Sequence, residues 1–104
     1  MKLVIKPAAR RDILSQAAYL AENGGAELGL RFVASVEESF RRLGEYPNAG
    51  APRAFANPSL AGLRSWPIPD FEDVRAYYLV NDHYILILRV LYGRRDLPHA
   101  LAEI

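Results

Sequence analysis

Apolar residues recur at helical spacing in two stretches of the first half of the chain. In residues 8–23 the stripe consists of Ala9, Ile13, Ala17 and Leu20. In residues 26–45 it consists of Phe32, Val36, Phe40 and Leu43. Spacing of three and four residues predicts amphipathic helices, and the Asn23-Gly24-Gly25 sequence between them predicts a tight turn. The pattern therefore predicts an antiparallel helix hairpin, preceded by a short strand over residues 3–5.

The second half of the chain carries runs of branched and aromatic residues in place of the helical stripe. Residues 63–68, 74–80 and 84–92 predict three strands, with a polar connection over 69–73 and a hairpin turn over 81–83. Residues 46–62 are rich in turn residues and predict an irregular, ordered surface loop. Residues 97–104 form either one helical turn or a loose tail.

The order of these elements, β-α-α-β-β-β, defines the fold class. It predicts one α+β domain over residues 1–104, in which the N-terminal strand and the helix hairpin form a two-layer structure with a mainly antiparallel four-stranded sheet. The last strand is apolar on both sides if its side chains alternate strictly. One side then carries Tyr84, Leu86, Leu88 and Val90, and the other carries Ile85, Ile87, Leu91 and Arg89. Because the helices cover one face only, the other needs cover from the tail, a second copy or a different chain.

The composition excludes several kinds of chemistry. The net charge is only +1 at pH 7, and lysine occurs only at Lys2 and Lys6, which is not typical of a protein that grips nucleic-acid backbones. The absence of cysteine excludes disulfides and thiol catalysis. No metal-ligand spacing or phosphate-binding glycine loop is present, so we expect no metal and no cofactor. The apolar run of three residues at the start is too short for a signal peptide or a membrane span, and we expect a cytoplasmic protein with no membrane partner.

The candidate functional residues lie in and just after the last strand. Gly93 ends the apolar run, and Arg94-Arg95-Asp96 follows. Paired guanidinium groups at the end of a rigid strand suit an anion or an acidic partner protein; alternatively, Asp96 holds one of the arginines in a structural bridge. Arg89 interrupts the apolar run. A half-buried arginine there needs a carboxylate, from Asp73 or from a partner protein.

Residues along nearly the whole chain match one toxin superfamily. The most specific match is Val90-Leu91-Tyr92-Gly93-Arg94-Arg95-Asp96-Leu97. Further matches are Ala9, Asp12, Tyr19 and Arg31-Phe32 in the helices, Tyr46-Pro47, Gly50 and Pro52-Arg53 in the loop, and Trp66-Pro67, Arg75 and Tyr78 in the strands. In these features the chain resembles the RelE/ParE superfamily of type II toxin–antitoxin systems, specifically its ParE branch. In that branch a histidine commonly stands at the place of Tyr92.

The resemblance implies a toxin that inhibits DNA gyrase by binding it and that a cognate antitoxin neutralises. The antitoxin is expected to be a DNA-binding, ParD-like protein, and the toxin to reach operator DNA only through it. A homodimer and a heterotetramer with the antitoxin are both open. We expect the target to contact the open sheet face and the strand end through Arg75, Arg89, Arg94 and Arg95.

The alternative is a RelE-like, ribosome-dependent mRNA endoribonuclease. In that case the catalytic residues are Arg75, Arg95 and His99, because the two arginines correspond to those that RelE-type nucleases place around the scissile phosphate. RNA cleavage also needs a base and an acid, and His83 falls in a predicted turn. Leu101 stands where those nucleases carry a catalytic tyrosine, and their second-strand lysines are absent. Binding is therefore favoured over catalysis.

Overall fold

Two long helices and a sheet make up the part of the chain that the computed structural model describes, residues 1–93 and 97–101. In chain order the elements are β1 (Lys2–Ile5), α1 (Pro7–Gly24), α2 (Ala26–Glu45), β2 (Ala51–Pro52), β3 (Arg64–Ile68), β4 (Phe71–Val80), β5 (Tyr84–Tyr92) and α3 (Leu97–Leu101). The sheet order is β1-β5-β4-β3-β2, with β1 parallel to β5 and the other pairs antiparallel. The predicted α+β fold is confirmed. The described sheet has five strands, not four, because two loop residues form β2 against β3.

The helix hairpin depends on two glycines with different roles. Gly25 adopts a φ of 98° between the helices, a conformation that side chains with a Cβ rarely adopt. Gly29 is buried where α2 crosses α1, and a Cβ there would lie 2.8 Å from the carbonyl oxygen of Ala17. This close approach lets α1 pack against both α2 and β5.

The helix-facing side of the sheet holds the larger hydrophobic core. Its buried members include Phe32, Val36 and Leu43 from α2, and Ile85, Ile87 and Val90 from β5. Phe32 also meets the ring of Phe71 edge to face, with centroids 5.2 Å apart. Each large side chain buried here contributes about 1.5–3 kcal/mol, so the helical stripes and the facing strand residues stabilise this layer together.

The opposite side of the sheet is covered by the same chain. α3 supplies Leu97 and Leu101, and the loop after β2 supplies Leu60 and Leu63. These side chains pack against Tyr77 and Leu88 in a second buried cluster. Of the covers considered from the sequence, the tail is the one observed, and it acts together with a loop that was expected only to be irregular.

The strict alternation expected along β5 is wrong because the strand contains an irregularity. Tyr77 pairs with Arg89 while Tyr78 pairs with Ile87, so the register shifts at this point and leaves Leu88 as the extra residue. A bulge of this kind reverses the alternation of side chains beyond it. Val90 consequently lies in the helix-side core with Ile87, whereas Leu91 packs against the second cluster.

The polar connection expected over residues 69–73 is also wrong in its extent. Ile68 already pairs with Phe71, so β4 begins at Phe71 and the turn is confined to Pro69 and Asp70. Asp70 has a φ of 69°, which aspartate tolerates better than most residues. Its N–H donates to the Glu72 carboxylate, and this local bond stabilises the tight turn between β3 and β4.

The loop between α2 and β2 is fixed to the sheet by Tyr78. The buried Tyr78 hydroxyl donates to the carbonyl oxygen of Pro47 and accepts from the Gly50 N–H, both at 2.8 Å. A Cβ at Gly50 would lie 2.4 Å from that hydroxyl oxygen. Arg64 adds bonds from its Nη1 to the carbonyl oxygens of Asn48 and Gly50. The loop is therefore held by side chains of two strands.

Removing the Tyr78 hydroxyl tests this attachment. We expect Tyr78→Phe to lower the free energy of unfolding by about 1–3 kcal/mol, because two sheltered backbone groups lose their partner. Urea unfolding at pH 7 measures the change. Tyr92→Phe is the matched control, since the Tyr92 side chain is 73% exposed and should unfold like the wild type. Equal stability of the two variants would contradict the assigned role.

The same tyrosine predicts a dependence on alkaline pH. Burial raises the pKa of Tyr78 above its ordinary value of 10.0, against smaller lowering effects of the Gly50 hydrogen bond and the Arg64 charge. Its stabilising contribution is therefore complete below pH 10 and is lost as the pH rises through the folded-state pKa. Unfolding followed from pH 8 to 11 should show a steeper loss in the wild type than in Tyr78→Phe; parallel curves would exclude this linkage.

Candidate functional site

Arg89 is held by a carboxylate from α1 and not by Asp73. Its Nε lies 2.7 Å from Asp12 Oδ2 and its Nη2 lies 2.9 Å from Asp12 Oδ1. A third nitrogen, Nη1, donates to the carbonyl oxygen of Ala100 in α3 at 3.1 Å. The Arg89 side chain is 25% exposed and that of Asp12 13%. The expected carboxylate is thus present within the chain, and this two-pronged pair joins α1, β5 and α3.

Asp12 also closes the edge of β5 beyond the end of β1. β1 pairs with β5 only as far as Ile87. At Val90, Asp12 Oδ2 accepts the backbone N–H at 3.0 Å and Gln16 Nε2 donates to the backbone carbonyl at 2.8 Å. Asp12 and Gln16 are four residues apart and so lie on one face of the helix. Two side chains of α1 therefore replace the hydrogen bonds of a neighbouring strand.

Arg75 lies on the sheet face opposite the helices. It pairs across the strands with Leu91, whose side chain packs against the second cluster. Arg75 is half-buried, and its guanidinium has no hydrogen bond or ion pair to any residue in 1–93 or 97–101. Its stem is thus supported by a rigid strand, and none of the described residues engages its charge.

One backbone hydrogen bond follows the end of β5, at Gly93. The Gly93 N–H donates to the carbonyl oxygen of Asp73 at 2.8 Å, and Gly93 has a φ of 74°. Arg94, Arg95 and Asp96 lie outside the described residues, so target contact by the arginine pair and the bridge to Asp96 stay predictions.

The two histidines lie at different places in the fold. His83 is in the turn before β5, where its N–H donates to Asn81. A nine-residue strand spans about 26 Å, so His83 is far from the strand end. His99 is exposed in α3, whose leucines pack on the sheet face that carries Arg75. Leu101 is fully buried in that packing.

The sequence did not predict a groove between α1 and the start of β4. Its volume is about 820 Å³, and its lining includes Tyr19, Phe71, Tyr92, Asp70, Glu72 and Asp73. It was missed because residues 69–73 were interpreted as a connection without structure of its own. The signal that pointed to it is the density of carboxylates around one aromatic residue in Asp70-Phe71-Glu72-Asp73.

No group of three or more His, Cys, Asp or Glu side chains in the described part of the chain is arranged to hold a metal ion. None of its helices is long and apolar enough to cross a membrane.

Comparison with known proteins decides the family. The family model described as the ParE toxin of the type II toxin-antitoxin system parDE matches residues 3–97. The chain belongs to the ParE toxin family. One similar solved structure, titled "Chromosomal ParDE TA system from P. aeruginosa", aligns with a TM-score of 0.74 and 24% identity, covering 90% of this chain and 97% of that chain. No curated protein matches. The ParE match confirms the resemblance drawn from the sequence, and the structural match confirms the fold.

The role of Asp12 in this ParE-family chain is open to a direct test. Asp12→Asn keeps the side-chain volume but removes the charge that pairs with Arg89. We expect the free energy of unfolding to fall by about 1.5–3 kcal/mol, the range for hydrogen bonds to charged groups. Thermal and urea unfolding measure it, with Asp82→Asn in the exposed turn as the control. An Asp12→Asn variant as stable as the control would show that the pair contributes nothing net.

Proposed function

We propose that the protein is the toxin of a type II toxin–antitoxin module, that it inhibits DNA gyrase by binding, and that a cognate antitoxin neutralises it. The observation that carries the toxin assignment is the ParE family match over residues 3–97. Binding is supported by the sheet face that carries Arg75, where a rigid strand offers a charge with no partner among the described residues.

The described residues favour binding over catalysis. RNA cleavage requires a base for the 2′-hydroxyl proton and an acid for the leaving oxygen. His83 is at the wrong end of β5, and the position at which RelE-type nucleases carry a tyrosine is the buried Leu101. His99 is then the remaining histidine on the face of Arg75. A single proton carrier on the sheet face of Arg75 suits recognition better than a reaction that moves two protons.

The arginines have different parts in this proposal. Arg75, Arg94 and Arg95 contact the target, because guanidinium groups bind carboxylates in a defined two-pronged geometry. Arg89 supports the surface from within, since Asp12 and Ala100 engage its nitrogens. Its remaining exposure, 25% of the side chain, leaves room for a target contact as well.

Arg75→Ala tests the target surface. We expect at least a tenfold rise in the concentration that half-inhibits gyrase supercoiling, because a lost charge-assisted contact costs about 1.5–3 kcal/mol. Arg31→Ala, at an exposed position of α2, is the control with the same charge change. The thermal midpoint of each variant shows that the fold is kept. A folded Arg75→Ala protein with full inhibition would remove Arg75 from the surface.

The arginine pair requires its own variant. A double Arg94→Ala and Arg95→Ala protein is expected to fold and to lose toxicity, because charge at the strand end is then absent. Growth after induction and circular dichroism of the purified protein measure the two properties. Toxicity equal to that of the wild type in the folded variant would defeat the assignment.

The nuclease alternative is retained because Arg75 and His99 share a sheet face. Induction in growing cells separates the two functions. Gyrase inhibition gives DNA breaks and filamentous cells with intact transcripts, whereas a ribosome-dependent nuclease cuts messages at codons. Mapped codon cleavage without DNA breaks would replace the proposed function by the alternative.

The partners follow from the same proposal. The cognate antitoxin is a ParD-like, DNA-binding protein, and the toxin meets operator DNA only through it. A homodimer of the toxin and a heterotetramer with the antitoxin are both open. The module acts in the cytoplasm, where gyrase lies. Co-purification with the product of the neighbouring reading frame tests the pairing, and light scattering of that complex gives its stoichiometry.

A further inference from the structure

A second pocket lies between the end of α2, the loop that follows it and β3. Its volume is about 610 Å³, and its lining includes Arg42, Glu45, Tyr46, Pro47 and Trp66. Tyr46 is 58% exposed. Pro47 and Trp66 are half-buried, whereas Arg42 and Glu45 are exposed. The pocket therefore combines an apolar, largely aromatic surface with two charged side chains of opposite sign.

This pocket is on the helix side of the sheet. Trp66 packs against the helix-side core, whereas Leu97 and Leu101 of α3 pack in the second cluster on the opposite side. The residues that line the pocket, together with their neighbours along the chain, all belong to the described part of the chain. The helix α3 that covers the second face thus does not close the pocket.

Hydrogen bonds in the loop hold the pocket in shape. The Tyr78 hydroxyl donates to the carbonyl oxygen of Pro47 at 2.8 Å. The Ala49 N–H donates to the carbonyl oxygen of Tyr46 at 3.0 Å, and the Tyr46 N–H donates to that of Arg42 at 2.8 Å. Because the loop is already ordered, a partner that binds here loses little further conformational entropy.

Arg42 is oriented by an aromatic ring and not by a carboxylate. Its Cζ lies 5.9 Å from the centroid of the Tyr46 ring. The neighbouring Arg41 pairs with Glu38. Among residues 1–93 and 97–101, however, no carboxylate forms an ion pair with Arg42, and no basic side chain pairs with Glu45. A guanidinium group placed over a ring keeps its in-plane N–H donors for a carboxylate.

One strand separates the pocket from Arg75. Arg75 pairs with Pro67 of β3, the residue after Trp66. The side chains of Arg75 and Trp66 lie on opposite faces of the sheet, in which neighbouring strands are about 5 Å apart. Since β2 pairs with β3 only at Arg64 and Ser65, no described strand lies beside Pro67 on its outer side. A partner that contacts Arg75 can therefore extend around β3 to the pocket.

From these features we infer that the pocket binds an acidic segment of gyrase in which an apolar side chain stands next to a carboxylate. The carboxylate pairs with Arg42, and the apolar side chain packs against Tyr46, Pro47 and Trp66. An acidic partner suits Arg42 and Arg75 alike, so one target surface can meet both. The inference rests on the proposed gyrase target and adds a second contact, on the opposite face of the sheet from Arg75.

The test uses three variants of the full chain, each of which removes one charge. Arg42→Gln removes the cation of the pocket, and Glu45→Gln removes its carboxylate. Arg41→Gln is the matched control, because it makes the same change in charge at the neighbouring residue. Purified gyrase is the probe, and the measurement is the concentration of each variant that half-inhibits supercoiling. The thermal midpoint of each variant shows that it is folded.

We expect Arg42→Gln to raise this concentration by about fivefold or more, because a charge-assisted contact is lost. Tyr46→Ala should weaken inhibition in the same way, since the ring that positions the guanidinium is then absent. Arg41→Gln should inhibit like the wild type. Glu45→Gln should inhibit as well as the wild type or better, because it removes a carboxylate that repels an acidic segment.

Hydroxyl-radical footprinting locates the contact without any substitution. Oxidation of Tyr46 should fall when gyrase is added, because its exposed ring is then covered. Leu30, which is 70% exposed on α2, should be oxidised at the same rate with and without gyrase. Equal protection of the two side chains would show shielding of the whole chain and would contradict a contact at the pocket.

Further results would overturn the inference while leaving the proposed function standing. One is a folded Arg42→Gln variant that inhibits gyrase like Arg41→Gln, in an assay in which Arg75→Ala is weakened. Another is weaker inhibition by Glu45→Gln, which would indicate a basic occupant. Weaker antitoxin binding by Arg42→Gln with unchanged gyrase inhibition would assign the pocket to the antitoxin. Failure of the wild type to inhibit gyrase at all would instead reject the proposed function, and this occupant with it.

Discussion

The structure depends most on one half-buried ion pair between Asp12 and Arg89. The carboxylate receives two guanidinium nitrogens and the backbone N–H of Val90, and the guanidinium also bonds to Ala100. Helix α1, strand β5 and helix α3 thereby meet at a single point. Truncating one partner of such a pair leaves the other charge half-buried and unpaired. The resulting loss in the free energy of unfolding exceeds what the intact pair contributes to it. The geometry of the strand end is consequently tied to that of the helix hairpin.

This constraint has consequences on both faces of the sheet. On the helix side, Asp12 and Gln16 of α1 make the hydrogen bonds to Val90 that a neighbouring strand would otherwise make. On the other side it holds the segment that places Leu97 and Leu101 over Tyr77 and Leu88. The chain thus covers its second apolar face itself. Charged groups lie where the start of β4 meets the end of β5, at Arg75 and at the acidic groove.

Much of the fold could be predicted because its signals are local. The stripes in α1 and α2, the glycine turn between them and the hairpin before β5 each lie within a short window of sequence. The candidate site could be predicted only in part. Arg89 was expected to need a carboxylate, but Asp12 is 77 residues away in sequence, and no local pattern joins them. The groove was missed because residues 69–73 were interpreted as a connection and because its walls come from segments far apart in the chain.

The sequence by itself determined the helix hairpin, four of the five described strands and the family resemblance. Periodicity and turn chemistry act between near neighbours, so they can be read without coordinates. Only the tertiary structure decided which carboxylate holds Arg89, which face each residue of β5 occupies after Leu88, and what covers the second face. Those outcomes depend on register, on a one-residue bulge and on contacts between distant segments. A prediction that assumes strict alternation misses a bulge, because the extra residue moves every later side chain to the opposite face of the sheet.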